Sequence, residues 1–227
     1  MTTEENANTS FAHPVPVGNA LVYGITRQFV LLHFRAGGGS VFGRENIPLK
    51  VRFILAPNHV SHLDPPLVSS FSPRRPHVMA KKELFKKAFF AKYFQGLGAF
   101  PVDRGKADRK AIRHAIKMLE SEAPLLIFPE GTRSKTGELG EAEIGLGMIA
   151  HATKAPIIPV YLKGTDQAFS AMNPKFGIVK IELHYGAPLN LEEEYAGRGD
   201  RTTIEAIGRK TMQAIAALRD GAATAAS

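Results

Sequence analysis

The chain has 227 residues, 44% of them hydrophobic, enough for one large domain or two small ones around a substantial core and too many apolar groups for a disordered tail. Its 29 Lys and Arg against 21 Asp and Glu give a net charge of +8, which implies a polyanionic partner: nucleic acid, an anionic membrane surface or a phosphorylated substrate. The absence of cysteine excludes a disulfide framework, a thiolate zinc site and a cysteine nucleophile.

Residues 1–19 are polar and punctuated by Pro14, Pro16 and Gly18, which predicts a flexible N-terminus without the basic-then-apolar order of a secretory signal. Leu21, Val22, Ile25, Phe29, Val30 and Leu32 then recur at helical spacing. A helix over Leu21 to Phe34 reaches roughly 20 Å, short of the ~30 Å hydrocarbon core, so it suits a membrane interface or ordinary packing better than a span. Residues 20–40 therefore form an amphipathic helical segment closed by a glycine hinge at Gly37-Gly38-Gly39, and residues 41–220 the main domain.

From Arg52 onward the pattern alternates. Strands are expected over Arg52–Ala56, His77–Ala80, Ala99–Val102, Pro124–Phe128, Ile157–Leu162 and Val179–His184. Helices are expected over Pro65–Phe71, Lys81–Gln95, Lys106–Ser121, Ile144–Thr153 and Thr202–Leu218, with residues 221–227 a flexible tail. Asp64 stands where an N-cap belongs and Pro65 at the first helical position. This alternation predicts an α/β/α sandwich around a mostly parallel mixed sheet, with an antiparallel pair near the C-terminus. Functional residues then gather beyond the C-terminal ends of the strands.

Three of those strand ends are chemically loaded. The first reads Asn58-His59-Val60-Ser61-His62-Leu63-Asp64. On a strand-to-helix turn the Asp64 carboxylate can fold back onto one imidazole nitrogen of His59 and make it a general base, although for this motif alone the commoner reading is that Asp64 only caps its helix and His59 only bonds backbone. No Gly-x-Ser-x-Gly elbow accompanies the pair, which suits a base that deprotonates a hydroxyl of the substrate itself. His62, two residues from Asp64, reads as a loop histidine. The second end is Asp103-Arg104-Gly105, where Arg104 precedes a helix start and can hold an anion. The third is Pro129-Glu130-Gly131-Thr132-Arg133-Ser134: Gly131 permits close approach, Thr132 and Ser134 offer hydroxyls, and Arg133 supplies a fork suited to phosphate. Glu130 would repel an anion and more readily orients Arg133 or an acceptor hydroxyl.

Together with Ile157-Ile158-Pro159-Val160, these segments in this order resemble the four motif blocks of the glycerolipid acyltransferases, most closely the 1-acylglycerol-3-phosphate acyltransferase branch. The likeness runs from about Gly43 to Gly186. It implies that His59 is the general base and Asp64 its orienting partner. Asn58, Arg104, Glu130, Gly131, Thr132, Arg133 and Pro159 then form the substrate-binding set. The reaction it implies moves an acyl chain from acyl-CoA or acyl-carrier protein to the sn-2 hydroxyl of 1-acyl-sn-glycerol 3-phosphate, giving phosphatidic acid without an acyl-enzyme, metal or cofactor. Other acceptors in the family's range are glycerol 3-phosphate, lyso-ornithine lipid and other lysophospholipids. One departure stands out: where family members often carry Phe-Lys-x-Gly, this chain has Ala142-Glu143-Ile144-Gly145, reversing the charge at that point.

The basic excess is local. Between Arg74 and Arg113 lie twelve Lys and Arg against three Asp and Glu, leaving seventeen basic and eighteen acidic residues elsewhere. Within that stretch Lys81, Lys82, Lys86, Lys87 and Lys92 alternate with Phe85, Phe89, Phe90, Tyr93 and Phe94, a composition suited to anionic headgroups above acyl chains. The expectation is a peripheral or monotopic protein on the cytoplasmic face of the cell membrane, its partners being anionic lipid, a lysophospholipid acceptor and an acyl donor. A basic nucleic-acid-binding module is the rival from another class, but no nucleic-acid motif accompanies the lysines and nucleic acid is not expected as a partner.

Overall fold

The computed structural model describes residues 18–103, 108–170, 173 and 175–224. Its helices are α1 (Ala20–Ala36), α2 (Asp64–Phe71), α3 (Ala88–Gly96), α4 (Arg109–Glu120), α5 (Ile144–Thr153), α6 (Thr165–Ala168), α7 (Glu192–Ala196) and α8 (Arg201–Thr224). The strands are β1 (Ser40–Phe42), β2 (Ile54–Pro57), β3 (His77–Lys81), β4 (Ala99–Val102), β5 (Leu125–Leu126), β6 (Ile157–Lys163) and β7 (Glu182–Tyr185). They form one sheet in the order β1-β7-β6-β2-β5-β3-β4. Strands β6, β2, β5, β3 and β4 are mutually parallel, β7 runs antiparallel to β6, and β1 pairs parallel to β7. The mixed α/β architecture, including the antiparallel pair near the C-terminus, is the one the alternation predicts.

Continuous apolar runs such as Phe53-Ile54-Leu55-Ala56 belong in a sheet covered on both faces, and both faces are covered. Phe53 and Leu55 join Val30, Phe34, Leu67, Val68 and Ile158 under α1 and α2. Ile54 and Ala56 point the other way, into Ile112, Leu119, Leu146, Ile149 and Ile207 under α4, α5 and α8. The parallel strands end along a single edge, and the loops that leave it carry the loaded segments.

Helix α1 is seated by polar contacts as well as apolar ones. Tyr23 Oη donates to Ser69 O at 2.8 Å and Arg27 Nε to Ser70 O at 3.2 Å, satisfying carbonyls of the last turn of α2. Val30, Leu31 and Phe34 are buried, yet Leu21, Ile25, Phe29 and Leu32 on the outer side remain 58–71% exposed. The helix is thus apolar on both sides, with the outer stripe bare. Two of the glycines after it allow close packing, and Gly38 between them takes a left-handed turn (φ +69°). A Cβ on Gly37 would stand 2.1 Å from Val179 O, and Gly39 lies against the Phe34 ring.

Several expected elements differ in extent: α4 starts at Arg109, after its cap Asp108, rather than at Lys106, and β7 at Glu182 rather than at Val179. The helix expected over 81–95 breaks into a 3-10 turn, Lys82–Phe85, and α3, with Lys87 extended between them (φ −98°, ψ 128°). The cause lies in the sheet: Lys81 pairs with Val102 in the β3–β4 ladder, and that pairing overrides the helical periodicity. Helix α8 continues past Leu218 through Asp220-Gly221 to Thr224, so the tail expected from 221 is helical there. Ala222 and Ala223 favour propagation, and Ala222 is buried. Residues 1–17 and 225–227, and with them most of the expected flexible N-terminus, lie outside the described residues.

Candidate active site

The loop after β2 is built around one carboxylate oxygen. Asp64 Oδ2 accepts from Val60 N–H at 2.8 Å, from Ser61 N–H at 2.7 Å and from the His59 ring at Nδ1, 2.9 Å away. Asp64 is fully buried and does not cap α2. A cap would bond the second or third helical N–H, but the second residue is Pro66, which has none, and Leu67 N–H donates to Leu63 O. The side chain turns back instead. Because a carboxylate only accepts, the proton of a neutral His59 sits on Nδ1 and the lone pair on Nε2, the tautomer a general base requires.

His59 is constrained on every side. Its N–H donates to Glu130 Oε1 at 3.1 Å, its C=O accepts from Ser134 N–H at 2.7 Å, and its ring stacks on Phe128 with centroids 3.8 Å apart. The third segment therefore holds the first in place. Glu130 also accepts from Gly140 N–H at 3.2 Å, and burial pushes its carboxyl up from the ordinary range against the opposing pull of these two bonds. This differs from the expected contact with Arg133 or an acceptor hydroxyl: the carboxylate of Glu130 is bonded to main chain.

Arg133 instead contacts His62 Nε2, donating from Nη1. The lone pair this requires agrees with a His62 pKa lowered by burial and by the nearby Arg133 and His59 charges. Asn58 is a splint: its amide donates to Leu162 O at 3.2 Å and its carbonyl accepts from Leu162 N–H at 2.8 Å, locking the end of β2 to β6. The residue is 2% exposed and lines neither of the cavities below. Pro159 is buried within β6, its ring against Gly186, and lines neither of the cavities below. Both residues shape the site from behind. Arg104 lies outside the described residues; its flanking Asp103 and Asp108 are linked by the Asp103 N–H, which donates to Asp108 Oδ2 at 2.9 Å.

Two cavities meet at this centre. One of about 560 Å³ is mainly apolar, walled by Phe29, Val30, Leu63, Val78, Phe94 and Phe169, and it contains His59, His62 and Arg133. The other, about 730 Å³, holds Asp103, Asp108, Glu130, Gly131, Thr132 and Glu143. Met79, Lys81 and Phe128 line both. Gly131 has φ +65°, and that left-handed turn brings it against the Glu143 side chain where α5 begins. The segments expected to act together are thus assembled, with Gly131 and Thr132 on one side and Arg133 on the other. Sequence reasoning missed Phe128 and Ser61, whose Oγ donates to Phe169 O; only their position beside the loaded blocks hinted at a role. Among the described residues no group of three His, Asp or Glu could hold a metal ion.

A family model described as acyltransferase matches residues 40–163. The chain is 32% identical over 192 residues to the 1-acyl-sn-glycerol-3-phosphate acyltransferase of Bacillus subtilis, covering 84% of this chain and 92% of the relative. The enzyme of that name from Streptococcus pneumoniae is 27% identical over 78% of this chain and 66% of its own length. The crystal structure of the 1-acyl-sn-glycerophosphate acyltransferase of Thermotoga maritima superposes with a TM-score of 0.69 at 26% identity, covering 87% of this chain and 78% of that one.

Proposed function

The chain belongs to the acyltransferase family, and from that premise we propose that it transfers an acyl group from a thioester donor to the sn-2 hydroxyl of 1-acyl-sn-glycerol 3-phosphate, yielding phosphatidic acid. The observation that carries this reading is the His59–Asp64 pair fixed at the wall of an apolar cavity. His59 Nε2 takes the proton of the acceptor hydroxyl as its oxygen forms a bond to the thioester carbon. The C–S bond then breaks, and the departing thiolate recovers that proton from the imidazolium. Asp64 fixes the tautomer and stabilises the imidazolium, a contribution of about 10²–10⁴ in rate for the base as a whole. The apolar cavity suits an acyl chain, and Arg133, with Arg104 from the second block, supplies the fork for the acceptor phosphate. No cofactor beyond the donor takes part.

The same reading places the enzyme peripherally on the cytoplasmic face of an anionic membrane. No described helix is long and apolar enough to cross one. Leu21, Ile25 and Leu32 of α1 and Phe89 and Phe90 of α3 are exposed, and Phe29 of the same α1 stripe also lines the apolar cavity. Each such side chain contributes about 1.5–3 kcal/mol on full burial in lipid.

The test is an acyl-transfer assay with 1-acyl-glycerol 3-phosphate, glycerol 3-phosphate, lyso-ornithine lipid and lysophosphatidylethanolamine as acceptors and both donor types. Preference for the first acceptor supports the reading. A higher kcat/KM on any other acceptor overturns its choice of substrate, and turnover that survives His59→Ala removes the base.

A further inference from the structure

Helix α4 carries a like-charged row on its exposed face. Its inner face, Ala111, Ile112, Ala115, Met118 and Leu119, is buried, while Arg109, Lys110, Arg113, His114 and Lys117 are exposed. Arg109 and Lys110 occupy the first turn, where the helix dipole favours acids, and the acid at this end is the N-cap Asp108, which accepts from the Lys110 and Ala111 N–H groups. Arg109, Arg113 and Lys117 follow at i, i+4 and i+8, a line about 12 Å long in which each neighbour repels the next. No ion pair among the described residues relieves any of the four. A helix evolved only for stability would hold acids here, so the cations answer to something outside the fold.

The position of the stripe narrows what that is. Helix α4 packs on the sheet face opposite to α1, so a bilayer that meets the α1 stripe does not meet this one. No large apolar side chain of α4 is exposed, which leaves nothing to insert into lipid. The N-terminal end of the stripe adjoins Asp108 and Ile112, which line the larger cavity together with Glu130 and Phe128. A rigid row of cations leading to the rim of that cavity fits an acidic helix of a soluble protein that must deliver something into it.

We propose that the exposed face of α4 docks an acidic acyl-carrier protein, which presents its thioester through the larger cavity. This rests on the acyl-transfer reading above and goes further by naming the donor's carrier and its landing surface. Neither Arg113 nor Lys117 lines a cavity, so both can be reversed without touching the reaction centre.

The experiment compares the native enzyme with the double variant Arg113→Glu/Lys117→Glu, using palmitoyl-carrier protein and palmitoyl-CoA as donors. The carrier protein's KM is expected to rise about tenfold or more in the variant and to rise with salt in the native enzyme. The KM for palmitoyl-CoA, kcat and retention on anionic liposomes are expected to stay unchanged. Equal losses with both donors, an unchanged carrier KM, or lost liposome retention with normal carrier kinetics would each overturn the proposal, the last assigning the face to lipid. Binding of the unacylated holo-carrier protein, followed by titration without turnover, separates this from failure of the acyl-transfer reading. An enzyme that binds the carrier through α4 but acylates no lysophospholipid refutes the acceptor, whereas one that acylates from CoA and binds no carrier refutes the docking. Native-like circular dichroism of the variant is required alongside, since Arg109 gains an i, i+4 attraction to position 113 while positions 113 and 117 stay like-charged.

Discussion

Replacing Glu130 by glutamine separates two roles that its place in the third block leaves open: holding the acceptor, or holding the base. Glu130 is 8% exposed, and its two oxygens each accept one main-chain N–H, from His59 and from Gly140. Glutamine has a single oxygen. If it serves His59, its NH₂ faces the Gly140 donor, and the reverse choice orphans His59. One charge-assisted bond of about 1.5–3 kcal/mol is lost and one buried N–H is left unpaired at about 1–3 kcal/mol. Against this stands the relief of no longer burying a charge, the same burial that raises the Glu130 carboxyl. A net cost of about 1–3 kcal/mol follows, and where it falls on the position of His59 it converts to about 5- to 150-fold in kcat. The expected result is a lowered kcat and a lowered urea midpoint, with acceptor KM within about twofold of native. Unchanged kcat and midpoint with an acceptor KM raised tenfold would refute the reasoning and make Glu130 a ligand of the acceptor.

The remaining predictions address the pair, the outer face and pH. His59→Ala should lower kcat by about 10³-fold or more with native-like circular dichroism, measured in the same assay. Asp64→Asn keeps an acceptor for Val60 and Ser61 but removes the charge facing the imidazolium and puts an NH₂ where Oδ1 has no partner; kcat should fall about 10²–10⁴-fold and stability by about 1–3 kcal/mol, read from urea unfolding. Leu21→Ser, Ile25→Ser and Leu32→Ser combined should reduce flotation with anionic liposomes while shifting unfolding by no more than about 0.5 kcal/mol per site. His33, His62 and His77 all have pKa values lowered by burial, so the folded protein binds protons more weakly there than the unfolded chain. Their contribution is intact above about pH 6.5 and is lost as pH falls from there towards the folded values. Glu130, shifted upward, acts in the opposite sense, but three histidines stand against one carboxyl, so urea midpoints should decline between pH 7.5 and 5.5; a flat profile over that window contradicts the shifts.

What was legible in the sequence was local or periodic. The parallel core announced itself through apolar runs, and α5 and β4 fall where their patterns end, because tertiary contacts there agree with local preference. Even the failure of Asp64 as a cap was written in the chain, since Pro66 removes the N–H it would have bonded. Relations set by distant partners were not legible. Glu130 meets His59 across 71 positions and Asn58 meets Leu162 across 104, and nothing in either segment encodes that approach. The three-residue β1 has no alternation to read, and the break of the 81–95 helix depends on Val102, contributed by another strand.

The proposed direct acyl transfer sets a demand that the two cavities could meet together. Without a protein nucleophile both substrates must be present at the base at once, and the gain comes from holding them in reactive geometry rather than from a covalent intermediate. An acyl chain and the polar arm that carries its thioester require opposite surroundings, so one uniform pocket would desolvate the arm or wet the chain. Here a largely apolar chamber and an acid-rich one share the wall of Met79, Lys81 and Phe128. His59 is attached to both: its ring lines the first and stacks on that wall, while its main-chain N–H is held by Glu130, which lines the second. The base is therefore positioned from both chambers at once. A substitution that loosens either anchor is expected to disturb transfer before it disturbs the binding of either substrate, and this is why the Glu130 experiment is read in kcat rather than in KM.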